Sequence, residues 1–237
     1  MNTFFQGTLA ALLVGLGLVL SGWGIGEGLQ QFRTGDRSVT IKGLAERSVD
    51  SDYATWSLTF RRAGDDFGDV QRSLAADRAR VANFLQSSGF SEQEVEVRPL
   101  QVQDVFAREY APGNHPFRYT GSGQVIVKSP RVALVETAAL AVDPLVEAGI
   151  ELEGGSGPRY QLRGFNDIKP ALLADATRNA RQQAIDFAAE AGAELGALKE
   201  ANQGVIRITG DDGSDWDDGS SRTKRLRVVS TFIYALR

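Results

Sequence analysis

The chain contains no cysteine, so disulfides, thiolate metal sites, iron–sulfur clusters and a cysteine nucleophile are all excluded. That absence does not fix the compartment. There is one histidine, His115, which rules out a histidine-rich metal site. It sits in the turn Ala111–Pro116 (APGNHP), a poor setting for the base of a Ser-His-Asp triad, which must be held rigidly. Basic residues are not clustered, and the formal net charge is −4. A nucleic-acid partner needs a concentrated basic surface, so none is expected. The glycine-rich stretches Gly22–Gly28 and Gly154–Gly157 lack the lysine and the strand-to-helix setting of a phosphate loop. They read as membrane helix and turn. The acidic run Asp211, Asp212, Asp215, Asp217 and Asp218 could offer oxygens to Ca²⁺, but it lacks the EF-hand order. A solvated hairpin loop is the expectation. No catalytic, cofactor-binding or metal-ligating residue and no cofactor is assigned, and a non-enzymatic protein is expected.

Residues 1–26 carry no Asp, Glu, Lys or Arg. The segment Phe4–Ile25 is long enough for a hydrocarbon core, which takes about 20 apolar residues. Residues 1–29 are therefore read as a transmembrane anchor or uncleaved signal, with the membrane contacted through residues 1–26. A cleaved signal peptide is the competing reading, but there is no basic n-region and no A-x-A site. Leu20-Ser21-Gly22 resembles the start of a lipoprotein signal, yet Trp23 stands where the lipidated thiol would be. Gly22 and Gly26, like Gly24 and Gly28, have small-xxx-small spacing. Arg33, Arg37 and Lys42 follow the span, and the positive-inside rule alone would leave the C-terminal part cytoplasmic.

After a linker at 30–37 the sequence alternates. Val39 and Ile41, then Ala54, Trp56, Leu58 and Phe60, predict a β-hairpin with one buried face. Asp65 or Asp66 caps a helix with Phe67, Val70, Leu74, Val81, Phe84 and Leu85 on its stripe, ending at Gly89 and covering that hairpin. Val95 and Val97 start a strand whose apolar phase changes to Leu100 and Val102 after Pro99. Phe117, Tyr119, Val125 and Val127 mark the next strand. Residues 131–148 form a linking helix broken at Asp143-Pro144. Ile150, Leu152, Tyr160 and Leu162 flank GGSGP as a second hairpin. Val205, Ile206 and Ile208 form a strand, and Leu226–Leu236 is the longest strand signal.

Between these strands lies the longest amphipathic segment, Asn166–Gly192. Leu173, Ala176, Ala180, Ala184, Phe187 and Ala191 recur at steps of three and four and share a face. An inward face made mostly of alanine predicts a helix backbone lying close to a β-sheet. Asp175, Arg178, Arg181, Asp186 and Glu190 fall mainly on the solvated side. The expected fold is α+β: an N-terminal membrane helix, then a duplicated ββαββ-like arrangement over 38–237, mainly antiparallel sheet with helices packed on it. The two similar halves are about 38–129 and 150–237, joined by helix 131–148.

The stretches VTIKGLAERSVDSDYATWSLTF (Val39–Phe60), NDIKPALLADATRNARQQA (Asn166–Ala184), LKEANQG (Leu198–Gly204) and LRVVSTFIYAL (Leu226–Leu236) resemble the SIMPL-domain family, also called the periplasmic immunogenic protein family. The resemblance covers roughly Ser38–Arg237. It implies an α+β domain exported to the bacterial envelope, sometimes linked to stress defence, with no agreed catalytic residues. It also favours a single-pass inner-membrane protein with a periplasmic domain, against the local arginine count. The function expected is assembly or binding. The alternatives are a small-anion module built on Asp167, Lys169 and Arg178 at the start of the long helix, and remotely a hydrolase. Trp56, Tyr119 and Tyr160 could line a pocket, but core burial is their default. Leu226–Leu236 is apolar on two faces, with Val229 and Ile233 on one and Val228, Phe232 and Tyr234 on the other. Either the strand is central with the linking helix 131–148 on its second face, or a neighbouring subunit supplies that cover, and self-association is the preferred expectation.

Overall fold

The computed structural model describes residues 15–25, 37–107, 116–155 and 157–237. Residues 15–25 are helical and exposed. Among the described residues no helix is long and apolar enough to cross a membrane. The expected span Phe4–Ile25 begins outside the described residues, as does most of the linker 30–37.

The rest is α+β, and every strand pair of the larger sheet is antiparallel. The strands are β1 (Ser38–Asp50), β2 (Tyr53–Gly64), β3 (Val95–Val97), β4 (Gln101–Asp104), β5 (Tyr119–Ser129), β6 (Glu151–Leu152), β7 (Arg159–Gln161), β8 (Leu195–Gly210) and β9 (Thr223–Leu236). The helices are α1 (Phe67–Ser87), α2 (Val132–Leu140), α3 (Asp143–Glu147) and α4 (Phe165–Glu190). One sheet has the order β1-β9-β8; the other runs β3-β5-β2-β6, with β4 also on β5 and β7 also on β2.

Both expected hairpins are corrected by this pairing. β1 lies in the first sheet and β2 in the second. The corner between them is fixed by Asp52, whose N–H donates to Gln161 O at 3.1 Å. β6 and β7 do not pair with each other. Each pairs with β2, Leu152 opposite Phe60 and Tyr160 opposite Ala54, so they form two parts of one edge. The break at Pro99 holds: β3 and β4 pair with β5 on either side of it.

Two compact units divide the chain: residues 1–45, 171–206 and 228–237 in the first, and 46–170 with 207–227 in the second. The core of the second unit is one face of β2 and β5 under α1. Trp56, Leu58, Phe60, Val125 and Val127 meet Val70, Leu74, Val81 and Leu85, with Val132, Val135 and Leu145 closing one side. α1 therefore covers β2 and β5, not a β1–β2 hairpin. Asp66 caps it by accepting the Asp69 N–H at 2.9 Å, while Phe67, expected on its buried stripe, is 49% exposed. α2 and α3 are separated at Ala141-Val142, just ahead of Pro144, which occupies the first turn of α3 where its missing N–H costs least.

In the first unit α4 packs on the smaller sheet, with Val39, Ala180, Ala184, Phe232 and Tyr234 forming the core. The buried stripe of α4 is Leu172, Ala176, Ala180, Ala184 and Ala188, a strict step of four. This corrects the expected stripe, because Phe187 is 53% exposed and Ala191 is exposed. Close approach is confirmed at Gly43 in β1: a Cβ there would lie 2.1 Å from Ala176 O and 2.7 Å from Ala180 Cβ. Gly43 and the alanines are thus two halves of one contact.

Candidate functional site

The segment joining β8 to β9 carries the acidic run, and its carboxylates are engaged locally. Asp212 Oδ1 accepts Ser214 N–H and Oγ–H at 3.0 and 2.7 Å. Asp218 Oδ1 accepts the same pair of groups from Ser220 at 2.8 and 2.6 Å. Those serines hold both carboxyls below the usual range. Asp217 Oδ1 accepts Gly219 N–H and the ammonium of Lys224, at 2.9 and 2.6 Å. Lys224 is fully buried, so this ion pair ties the loop to β9. Asp211 takes Arg225 at 2.9 Å. Among the described residues no group of three or more His, Cys, Asp or Glu is placed to hold a metal ion. His115 and the turn around it lie outside the described residues.

The start of α4, the alternative anion site, already holds a carboxylate from the protein. Asp52 Oδ1 accepts the Arg163 N–H at 2.7 Å and Oδ2 the Gly164 N–H at 2.6 Å, where the helix dipole favours negative charge. Arg163 stacks its guanidinium 3.2 Å from the centre of the Tyr53 ring. Asp167 follows with its N–H on Gly164 O, and Arg178, further along, is paired with Asp175 one turn before it. Trp56 and Tyr160 are core residues, and Tyr119 sits edge-on to Phe67 at 5.8 Å. The default burial reading holds for the first two.

Three arrangements were not foreseen. Arg222 donates to Glu136 at 2.7 Å and to Asp50 at 3.3 Å, while Asp50 also accepts the Thr223 hydroxyl at 3.0 Å. Burial, then the nearby Glu136 carboxylate, pushes the Tyr160 hydroxyl up. Second, the polar face of β2, β4 and β5 holds two adjoining basins of about 410 and 370 Å³ that share Gln101 and Ser122. Third, Arg207 from β8 and Arg225 and Arg227 from β9 border one smaller cavity of about 140 Å³. The last is hidden in sequence because β8 and β9 must pair before Arg207 meets the other two. The spacing of Arg225 and Arg227 was the available signal.

A protein-family profile matches residues 39–224. The chain belongs to the SIMPL family. That family is described as a protein of unknown function (DUF541), so membership brings no activity with it. No curated protein matches. Among solved structures, the SIMPL chain is matched to a hydrolase from Listeria innocua at 10% identity and a TM-score of 0.23, covering 89% of this chain and 98% of that one. An uncharacterized conserved protein from the same organism is matched at 11% identity and a TM-score of 0.21, covering 78% and 91%. Likenesses this distant carry no argument about activity.

Proposed function

We propose that this SIMPL chain is a non-enzymatic envelope domain that works by assembling with copies of itself. In this reading residues 1–26 hold it at the bacterial inner membrane, its domain faces the periplasm, and its role belongs to envelope stress defence. The order of elements, with two strands, a helix and further strands on each side of α2–α3, suits a duplicated ββαββ plan.

The observation that supports assembly is the second face of β9. Phe232 and Tyr234 point to α4 and are buried. Val229, Thr231, Ile233 and Ala235 alternate with the buried row and remain half-exposed. In the same unit Leu44 and Val205 are 39% and 83% exposed. An apolar sheet face without cover is a surface for association. Light scattering on residues 34–237 without detergent tests it. A mass of two or more copies is expected at micromolar concentration, and a monomer at high micromolar concentration would remove the sheet face as the assembling element. Intact-mass measurement on the mature protein tests the anchor, whose loss would refute membrane attachment through residues 1–26.

A further inference from the structure

We propose that β8 and β9 carry a binding site for a phosphate-type oxyanion, in the cavity of about 140 Å³ bordered by Arg207, Arg225 and Arg227. Along β9, Lys224, Leu226 and Val228 are buried, and the strand's period of two puts Arg225 and Arg227 together on the opposite face. β8 pairs with β9 and brings Arg207 to the same cavity, with the hydroxyl side chains of Thr209 and Ser214.

Two of the arginines are held in place and keep donors to spare. Arg225 gives one N–H to Asp211 at 2.9 Å and Arg227 pairs with Glu46 at 3.2 Å, whereas a guanidinium has five N–H donors. Arg207 has no ion pair among the described residues and is exposed. Three guanidinium forks and the Thr209 hydroxyl, the Ser214 O–H being already given to Asp212, match the several acceptor oxygens of a tetrahedral oxyanion better than the two of a carboxylate. The cavity is also well below the size of a drug-like ligand site, which starts at about 300 Å³. A compact anion fits it. Glu46 and Asp215 share the lining and Asp211 pairs with Arg225, so three carboxylates balance the three arginines and the site would hold an anion through directed N–H donors rather than through net charge. The Asp215 carboxylate repels an anion in the cavity and so weakens the site. This site is separate from the start of α4, which Asp52 fills.

Trp216 is 71% exposed beside Asp215 and provides a fluorescence reporter. The test titrates the full chain in detergent with inorganic phosphate, holding ionic strength constant with chloride, and follows calorimetric heat together with the part of the tryptophan emission that is lost in the Trp216→Phe protein. Saturable binding at one site per chain is expected. Arg207→Ala, which breaks no ion pair, should weaken it tenfold or more, and Asp215→Asn should tighten it. Absence of saturable binding, or equal binding by the Arg207→Ala protein with an unchanged melting temperature, would overturn the proposal. Competition by a soluble glycerophosphodiester would assign the site to a lipid headgroup. Competition by a phosphate monoester alone would assign it to a soluble phosphate, and both outcomes support the shared chemistry.

Discussion

Arg62 of β2 grips Asp77 of α1 with two donors, Nε at 2.5 Å and Nη2 at 2.9 Å. Asp77 is 1% exposed, and the pairing holds the Arg62 guanidinium more firmly protonated, chiefly through that hydrogen bond. A buried charge pair adds little net stability, but removing one partner strands the other. Arg62 is 30% exposed and can recover some hydration. Asp77→Ala should therefore cost about 2–4 kcal/mol, read by urea unfolding. The exposed pair Asp69–Arg72, 71% and 75% exposed on the same helix, is the control, and Asp69→Ala should cost under about 1 kcal/mol of ion-pair energy.

α4 gives the second prediction. Ala180 lies under the spot where a Gly43 Cβ would sit 2.7 Å from it, so neither residue has room to grow. Ala180→Leu should destabilise the protein by about 1–3 kcal/mol through overpacking. Gly43→Val should be at least as harmful, because its nearest neighbour is the backbone Ala176 O, which cannot rotate away. Phe187→Ser should be nearly neutral, since Phe187 is 53% exposed. Melting temperatures of the three proteins order them.

The sequence is most informative where one element has one buried face. Trp56, Leu58 and Phe60 in β2, and Leu226 to Tyr234 in β9, show their strands by simple alternation. Packing of α4 against a sheet follows from its alanines. The face of α4 is legible only to within one position per turn, because Phe187 competes with Ala188 on apolar character while the close contact selects the smaller side chain. Strand pairing is the least legible. Adjacency in sequence suggests β1 with β2 and β6 with β7, whereas the hydrogen bonds join β1 to β9 and place β6 and β7 on β2, contacts that only the folded chain brings together. The arginine cavity inherits this difficulty.

Glu94 predicts a pH dependence. Its carboxylate accepts from Arg131 Nε at 3.0 Å and from the Ser129 hydroxyl at 2.5 Å. Arg131 first, then the serine hydrogen bonds against the cost of burial, bring its pKa from 4.5 down to about 2. A folded-state pKa below the unfolded one gives stability that is complete above about pH 4.5 and is lost as pH falls towards 2. Because Arg131 is 47% exposed, solvent screening reduces the contribution to about 1–2 kcal/mol. Glu94→Gln should therefore lower stability at pH 7 by that amount and flatten the stability curve between pH 5 and pH 2.5, approximately the window of this titration. Equal acid sensitivity in both proteins would assign the loss to other carboxylates.

The last prediction concerns the start of α4. Asp52 gives each of its carboxylate oxygens to a backbone donor there, one to the Arg163 N–H and one to the Gly164 N–H. Its own N–H ties the β1–β2 corner to Gln161. The carboxylate thus satisfies donors that precede the helix and places negative charge at its positive end. Asp52→Ala removes both effects and should cost about 1–2 kcal/mol. Asp52→Asn keeps an acceptor but no charge, and should recover part of that loss. Hydrogen exchange at the first turns of α4 separates this local role from a general loss of stability. Faster exchange there in the alanine protein, with α1 unchanged, is the expected result; uniform acceleration across both helices would show that Asp52 acts on the fold as a whole.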